Sequence, residues 1–233
     1  MIELIKEIDY LPFILSFKLA TITTFILFFI CLPLAWYLSQ TQSRIKPFLE
    51  AITALPIVLP PSVLGFYILL TLSHNSPIGH FFQEYFHVRL VFNFYGLIIA
   101  SCFYSLPFMI QPLQSGLESV NKNMIEASYI CGKSKLETLF KVVLPNIKPA
   151  LLTAIIITFS HTVGEFGVVL MIGGSIPNET KVASIAIYEF TETMDYTKAH
   201  IYSAIMVSLS FLTLLGVYLF NGKQKKIFSG ISK

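Results

Sequence analysis

The sequence is poor in charged residues. Only 12% of its 233 residues are Asp, Glu, Lys or Arg, whereas an ordinary soluble domain has about 25%. It has three cysteines and no C-x2-C or H-x3-H spacing, so neither a disulfide scaffold nor a metal site is expected. The net charge of +3 is small and dispersed, which disfavours nucleic acid as a partner.

The sequence is rich in apolar residues. They make up 55% of the chain, phenylalanine alone supplies 21 residues, and the mean hydropathy is +0.71. One soluble core cannot bury this much apolar surface while runs of about 20 residues stay free of charge. The composition therefore predicts an integral membrane protein, and it excludes a soluble enzyme, a disordered protein and a secreted disulfide scaffold.

The apolar runs define the fold class. Each is long enough to cross about 30 Å of hydrocarbon as a helix, and none shows the alternating segments of about ten residues that a barrel needs. We predict an all-α polytopic membrane protein, with about five transmembrane helices in a single domain over 1–233. The predicted spans are 12–38, 48–72, 91–113, 147–172 and 199–220.

The distribution of basic residues predicts the orientation. Eleven of the 16 Lys and Arg residues fall in the loops 39–47 and 114–146, just beyond them, or in the C-terminal tail, and four fall on the other side. Because cytoplasmic loops carry the excess of Lys and Arg, the N-terminus is predicted outside and the C-terminus inside. The outer loop 173–198 holds an apolar stretch, 182–190, that is too short to span and is expected to form an interfacial or re-entrant helix.

The loop 114–146 contains two helix signals. Asn121 is a favoured N-cap for a helix over 122–131, and Gly132 suits the left-handed position that ends it. The Ser134-Lys-Leu-Glu137 run is a capping box that starts a second helix, which runs to about 144. Two capped helices favour a docking element for a cytoplasmic partner, and a plain structural connector is the alternative.

A relaxed P-loop pattern lies in the same loop. Ala127 stands where the strict motif needs its first Gly, ahead of Gly132-Lys133-Ser134. A P-loop also requires a preceding strand inside an α/β domain, and this chain has neither. The pattern is better explained by a helix stop, so nucleotide binding by this chain is not expected.

The same loop resembles the EAA loop of ABC-importer permeases. The matching positions are Glu126, Ala127, Ser128, Gly132, Val142, Leu144 and Pro145. Ser128 replaces the family's third small residue and Val142 replaces Ile, and both changes roughly conserve size. The resemblance implies coupling helices that sit in a cleft of an ATP-hydrolysing subunit. Glu126 and Ala127 would lie on the contacting helix, and Gly132 would set the angle between the helices.

Further segments resemble the molybdate and sulfate permeases of this machinery. They are 54–67, 105–113, 164–167, 173–180 and 183–188. The last two segments and the short chain favour molybdate, with tungstate as a co-substrate. The resemblance implies a homodimer in the bacterial inner membrane, surrounded by lipid, with cytoplasmic ABC ATPase subunits and an external molybdate-binding protein as partners. The ATPase would hold ATP and Mg, and this chain would be neither an enzyme nor a cofactor carrier.

The second span contains the candidate pathway residues. Pro60 and Pro61 interrupt it and free backbone carbonyls, which membrane depth tolerates only against protein or a water-filled cavity. The segment is therefore either a kinked packing helix or a pore-lining segment. The hydroxyls of Thr53 and Ser62 would be weak donors to an oxyanion. Because no span centre carries Lys or Arg, we expect the pathway to hold its substrate weakly.

The fourth span carries two polar residues, His161 and Glu165. They are four apart, so we predict that they share a helix face and reach each other. Three roles stay open: a structural pair that fixes packing or the dimer contact, a gate, and proton coupling. The nearby Gly164 and Gly167 suit close helix packing in lipid.

Three rival functions follow from these residues. The first is an importer of the same type for sulfate or another oxyanion. The second is an ATP-independent channel or proton-coupled carrier that uses His161 and Glu165. The third, a membrane enzyme, is disfavoured because the sequence offers no nucleophile–base constellation, paired catalytic carboxylates or metal-ligand set.

Overall fold

A computed structural model describes residues 8–229, and within this range every regular element is helical. A π-helical turn, Leu139–Val143, separates the seventh and eighth α-helices. The α-helices are α1 Leu11–Gln40, α2 Lys46–Val58, α3 Pro61–Leu72, α4 Pro77–Phe86, α5 Phe94–Glu118, α6 Lys122–Ile130, α7 Lys135–Thr138, α8 Leu144–Asn146, α9 Lys148–Val163, α10 Gly167–Gly173, α11 Ala183–Glu192 and α12 Tyr196–Ser229.

Three continuous helices are long and apolar enough to cross a membrane: α1, α5 and the Tyr196–Gly216 part of α12. They correspond to the first, third and fifth predicted spans. Their ends differ from the prediction because a helix continues into the polar interface, which hydropathy does not mark. Thus α5 continues to Glu118 instead of 113. It begins at Phe94 instead of 91 because the Asn93 side chain caps it by accepting from the Tyr95 N–H.

The second predicted span, 48–72, is two helices instead of one. The axes of α2 and α3 meet at an angle of 111° across Leu59 and Pro60. Pro60 and Pro61 have no N–H, so the carbonyls of Pro56 and Ile57 lose their i+4 donors at this point. The bend therefore follows from the two adjacent prolines.

The fourth predicted span, 147–172, is also interrupted. Helix α9 has 16 residues and is about 24 Å long, which is less than the hydrocarbon thickness. It ends at Val163, and α10 resumes the helix at Gly167. At its other end α9 meets the 135–146 segment at 80°.

The connections define two faces of the molecule. We call the side where α1 begins the α4 face, because α4 joins the bent α2–α3 pair to α5 on this side. The opposite side, where α1 ends and α6 to α8 lie, is the α6 face. The short helix predicted at 182–190 is present as α11 on the α4 side, and its Ala183 N–H donates to the buried Ser16 hydroxyl of α1 at 2.9 Å.

The centre of the fold is the packing of α1, α5 and α9. Towards the α6 face these helices share a core that includes Leu38, Leu113 and Val143, all fully buried. Ala35 and Ala154 are also fully buried there. Such small residues allow helix backbones to approach closely, which drives association in lipid.

The contact between α3 and α10 requires a glycine at position 167. A Cβ added to Gly167 would lie 2.8 Å from the Pro61 Cβ, whereas a Cβ on Gly164 would meet nothing closer than 3.8 Å. Overpacking of this kind costs about 1–3 kcal/mol. We predict that Gly167→Ala lowers the melting temperature of the detergent-purified protein and that Gly164→Ala leaves it nearly unchanged. Equal melting temperatures for the two variants would contradict this packing.

Candidate functional site

The predicted stop of the first loop helix is present as a Schellman motif at the end of α6. The Gly132 N–H donates to the Tyr129 carbonyl at 2.9 Å, and the Lys133 N–H donates to the Ser128 carbonyl at 3.1 Å. Gly132 has φ +77°, a left-handed conformation that disfavours residues with a Cβ. At the other end, Asn121 accepts from the Asn123 N–H at 2.9 Å, as expected of an N-cap.

The predicted capping box starts the second loop helix. The Ser134 hydroxyl accepts from the Glu137 N–H, and the Glu137 carboxylate accepts from the Ser134 N–H, both at 3.2 Å. The Lys141 ammonium, 2.9 Å away, and the Ser134 backbone N–H hold the pKa of Glu137 below its usual range. The helix start is therefore fixed by the sequence locally.

The second loop helix departs from the predicted regular helix to 144. The π-helical turn follows α7, and within it the Leu144 N–H bonds five residues back to the Leu139 carbonyl. Pro145 has no N–H with which to continue an i−4 ladder, so the ladder changes register before it. The Asn146 side chain then donates to the Val142 carbonyl at 2.7 Å.

The residues that match the EAA pattern divide into two groups. Ser128 is buried, and its hydroxyl is 2.9 Å from the Thr138 hydroxyl of α7. Leu144 is half-buried beside the core. The outward group is exposed: Glu126, Ala127, Gly132 and Pro145. The buried hydroxyl pair joins the two helices, so that the loop is a folded unit with one free surface.

The free surface of this loop is apolar around the turn. Ile130 is 86% exposed, Leu136 is 69% exposed and Phe140 is 61% exposed. Exposed apolar side chains that cluster outside the spans mark a surface for another protein. The sequence prediction named Glu126 and Ala127 but missed these three, because an exposed position cannot be recognised without the fold.

The turn at Gly132 yields a testable prediction. A Cβ there would meet no atom within 4 Å, so Gly132→Ala costs only the left-handed strain, about 1 kcal/mol or fivefold in local opening. We predict correspondingly faster trypsin cleavage after Lys133 and Lys135. The control is Gly216→Ala, where a Cβ also meets nothing and φ is not positive. Equal cleavage in both variants would refute the strain.

A buried polar layer lies between α5 and α9. The His161 Nδ1 is 3.0 Å from the Ser105 hydroxyl, which is also 2.9 Å from the Thr162 hydroxyl. The Phe108 ring stacks on the imidazole with centroids 3.9 Å apart. His161 is therefore held by α5. Sequence reasoning missed Ser105 because it lies 56 residues away along the chain.

Glu165 does not pair with His161, so the predicted shared helix face is wrong. Helix α9 ends at Val163, and Glu165 lies in the break before α10. Its side chain is only 4% exposed, and neither carboxyl oxygen makes a hydrogen bond of ordinary geometry among residues 8–229, although the Ser101 hydroxyl lies nearby. Four buried hydroxyls also make no such hydrogen bond in that range: Thr23, Thr24, Ser101 and Thr158. Glu165 is thus buried within one chain, without the histidine partner that the sequence predicted.

An unpartnered, buried carboxyl is expected to be a neutral acid, since an unpaired charge is costly away from water. We therefore predict that Glu165→Gln, which resembles the neutral acid, keeps the melting temperature, whereas Glu165→Lys lowers it strongly. Infrared spectroscopy should detect a protonated-carboxyl band that Glu165→Gln removes. Loss of stability in Glu165→Gln would instead indicate an ionised, paired carboxylate.

The remaining pathway candidates lie around the bent second span. Thr53 donates to the Glu50 carbonyl at 3.0 Å and lines a cavity of about 300 Å³ between α2 and α5. Pro60 and Ser62 are exposed, and Pro61 contacts the Gly167 region. The α6-side end of α2 is fixed to α5 by the Lys46 ammonium, 2.9 Å from the Glu118 carboxylate. Sequence reasoning did not identify this ion pair.

Residues 8–229 contain no group of three or more His, Cys, Asp and Glu side chains arranged to hold a metal ion. The three cysteines are free thiols, with Cys31 buried in the core and Cys131 exposed in the loop.

Comparison with known proteins identifies the family. Residues 20–227 match the family described as the inner membrane component of binding-protein-dependent transport systems. The chain belongs to this family. As a member of this family it is a multi-pass membrane component of a transport system, which agrees with the helical fold and the resemblance of the loop.

Two relatives of this chain align with most of its sequence. The molybdenum transport system permease protein ModB of Azotobacter vinelandii is 44% identical over 214 residues, which is 92% of this chain and 95% of the relative. The probable sulfate transport system permease protein cysT of Chlorella vulgaris is 36% identical over 182 residues, 78% of this chain and 68% of the relative.

Solved structures share the fold. The inward-facing MetNI methionine ABC transporter has a chain that matches with TM-score 0.71 and 18% identity, covering 91% of this chain and 94% of that one. A bacterial ABC transporter that imports alginate matches with TM-score 0.71 and 16% identity, covering 93% of this chain and 78% of that one. The predicted ABC-importer permease fold is confirmed.

Proposed function

We propose that this chain is the membrane-spanning subunit of an importer that moves molybdate into the cytoplasm, driven by ATP hydrolysis in a separate subunit. The observation that carries the proposal is the 44% identity to ModB, which extends over 95% of that protein. The sulfate relative is less similar and is matched over a smaller share of its length. Tungstate would be a co-substrate because of its chemical similarity to molybdate.

The proposed orientation places the α6 face in the cytoplasm. The excess of Lys and Arg in the loops and tail on this side supports it. The N-terminus would then be outside and the C-terminus inside, in the bacterial inner membrane. An external molybdate-binding protein would dock on the α4 face.

The proposed ATPase contact is the α6–α8 loop. The exposed Glu126 and Ala127, with the apolar Ile130 and Leu136 beside them, would enter a cleft of the ATPase. The buried Ser128–Thr138 pair would make the two helices move together. ATP and Mg would be bound by the ATPase subunit, and this chain would make and break no covalent bond.

The proposed pathway runs between two copies of the chain. The carbonyls of Pro56 and Ile57 lack helical donors at the α2–α3 bend, and Val58 beside them is 80% exposed. Such a backbone is tolerated at membrane depth only against protein or a water-filled cavity. A second copy of the chain would supply the protein contact, and a pathway between the two copies would supply the water-filled cavity. Thr53 and Ser62 would be weak donors to the passing oxyanion.

The proposal is tested by uptake of labelled molybdate into proteoliposomes that hold this chain, its ATPase and its binding protein. We expect uptake only with ATP on the ATPase side, with inhibition by external tungstate. Liposomes without this chain are the control. Glu126→Ala should reduce uptake while leaving membrane insertion intact, because Glu126 is exposed and its loss removes no buried group of this chain.

Two outcomes would change the proposal. Inhibition by sulfate as strong as by tungstate would support the alternative of a sulfate importer. The 36% identity to cysT is the observation behind that alternative. Uptake without ATP would contradict the ABC mechanism and return attention to an ATP-independent channel or proton-coupled carrier that uses His161 and Glu165.

A further inference from the structure

A pocket on the α4 face lies outside the proposed coupling loop and outside the proposed pathway. Its volume is about 550 Å³, and it lies between the end of α3, helix α4 and the segment that leads into α5. Leu69, Leu72, Ser73, His74, Gln83 and Arg89 are among its lining residues. Polar and apolar groups therefore meet in one pocket at the edge of the membrane.

The polar part of the pocket carries an available cation. Arg89 has no carboxylate within ion-pair distance among residues 8–229, while Lys198 on the same face pairs with Asp195 at 3.3 Å. A guanidinium presents its donors in a fork that fits a phosphate. Gln83 and Ser73 in the same lining add neutral donors.

The apolar part of the pocket and helix α4 have the character of a membrane interface. Leu69, Leu72 and Phe92 line the pocket. The α4 surface exposes Phe81, Tyr85 and Phe86. Aromatic residues concentrate where a membrane protein crosses from hydrocarbon to water, which is the depth of lipid headgroups.

We propose that this pocket binds the phosphodiester headgroup of a phospholipid. Arg89 would donate to the phosphate oxygens, and the acyl chains would pass along the leucines of α3. A free oxyanion is tetrahedral like the phosphodiester group and is the rival ligand. However, the pocket has the volume of sites for drug-sized ligands, and a small ion would make no use of its apolar wall. The proposal does not depend on which substrate the chain transports.

Native mass spectrometry with added phosphatidylglycerol tests the proposal on the intact detergent-purified protein. We expect wild type to retain lipid and Arg89→Gln to retain it about tenfold more weakly, the size of one charge-assisted hydrogen bond. Arg89→Lys should fall in between, because it keeps the charge and loses the fork. The control Lys198→Gln removes a cation of the same face that lies outside the pocket and should match wild type.

Three results would overturn the lipid site. The first is equal lipid retention by Arg89→Gln and wild type, with size-exclusion profiles showing that both are folded. The second is molybdate or phosphate at millimolar concentration binding to wild type in place of lipid, which would identify a site for a free oxyanion. The third is an Arg89→Gln variant that retains lipid like wild type but no longer binds the external binding protein. That result would identify a protein-docking surface.

Discussion

The structure depends on one constraint, namely that hydrocarbon offers no partner to a backbone N–H or C=O. The continuous helices α1, α5 and α12 meet it mostly within their own ladders, where only the interior prolines Pro33, Pro107 and Pro112 remove a donor. The two interrupted spans break at proline and glycine positions, where donors are missing or the chain turns. Both breaks are adjacent in space, because Gly167 of α10 lies against Pro61 of α3. The irregular backbone is therefore concentrated in one region of the fold.

The proposed coupling loop is built into the central core of the fold. Helices α1, α5 and α9 share one core, to which the α6–α8 loop is attached through Ile125, Leu139 and Val143. The 135–146 segment of that loop continues directly into α9 through a turn of 80°. A force applied to the loop would therefore act on α9. The far end of α9 is the break that holds Glu165. One helix thus connects the proposed coupling surface to the irregular region of the spans.

The buried polar layer between α5 and α9 depends on one hydroxyl. Ser105 satisfies both His161 and Thr162, so a single hydroxyl joins α5 to α9. Glu165 and nearby hydroxyls lack partners in the described part of the chain. An unsatisfied polar group is costly in low dielectric, so these groups lower the stability of the core around them.

The sequence by itself determined the membrane class, the all-helical fold and the local chemistry of the loop. The Asn121 cap, the Gly132 turn and the Ser134–Glu137 box depend on neighbours within a few residues, so their patterns are readable in one dimension. Tertiary structure alone decided that His161 bonds to Ser105 and not to Glu165, and that Gly167, not Gly164, needs to be small. These contacts join residues that are 56 and 106 positions apart in the chain. They depend on where the helices end and how they cross, and no local sequence pattern records either.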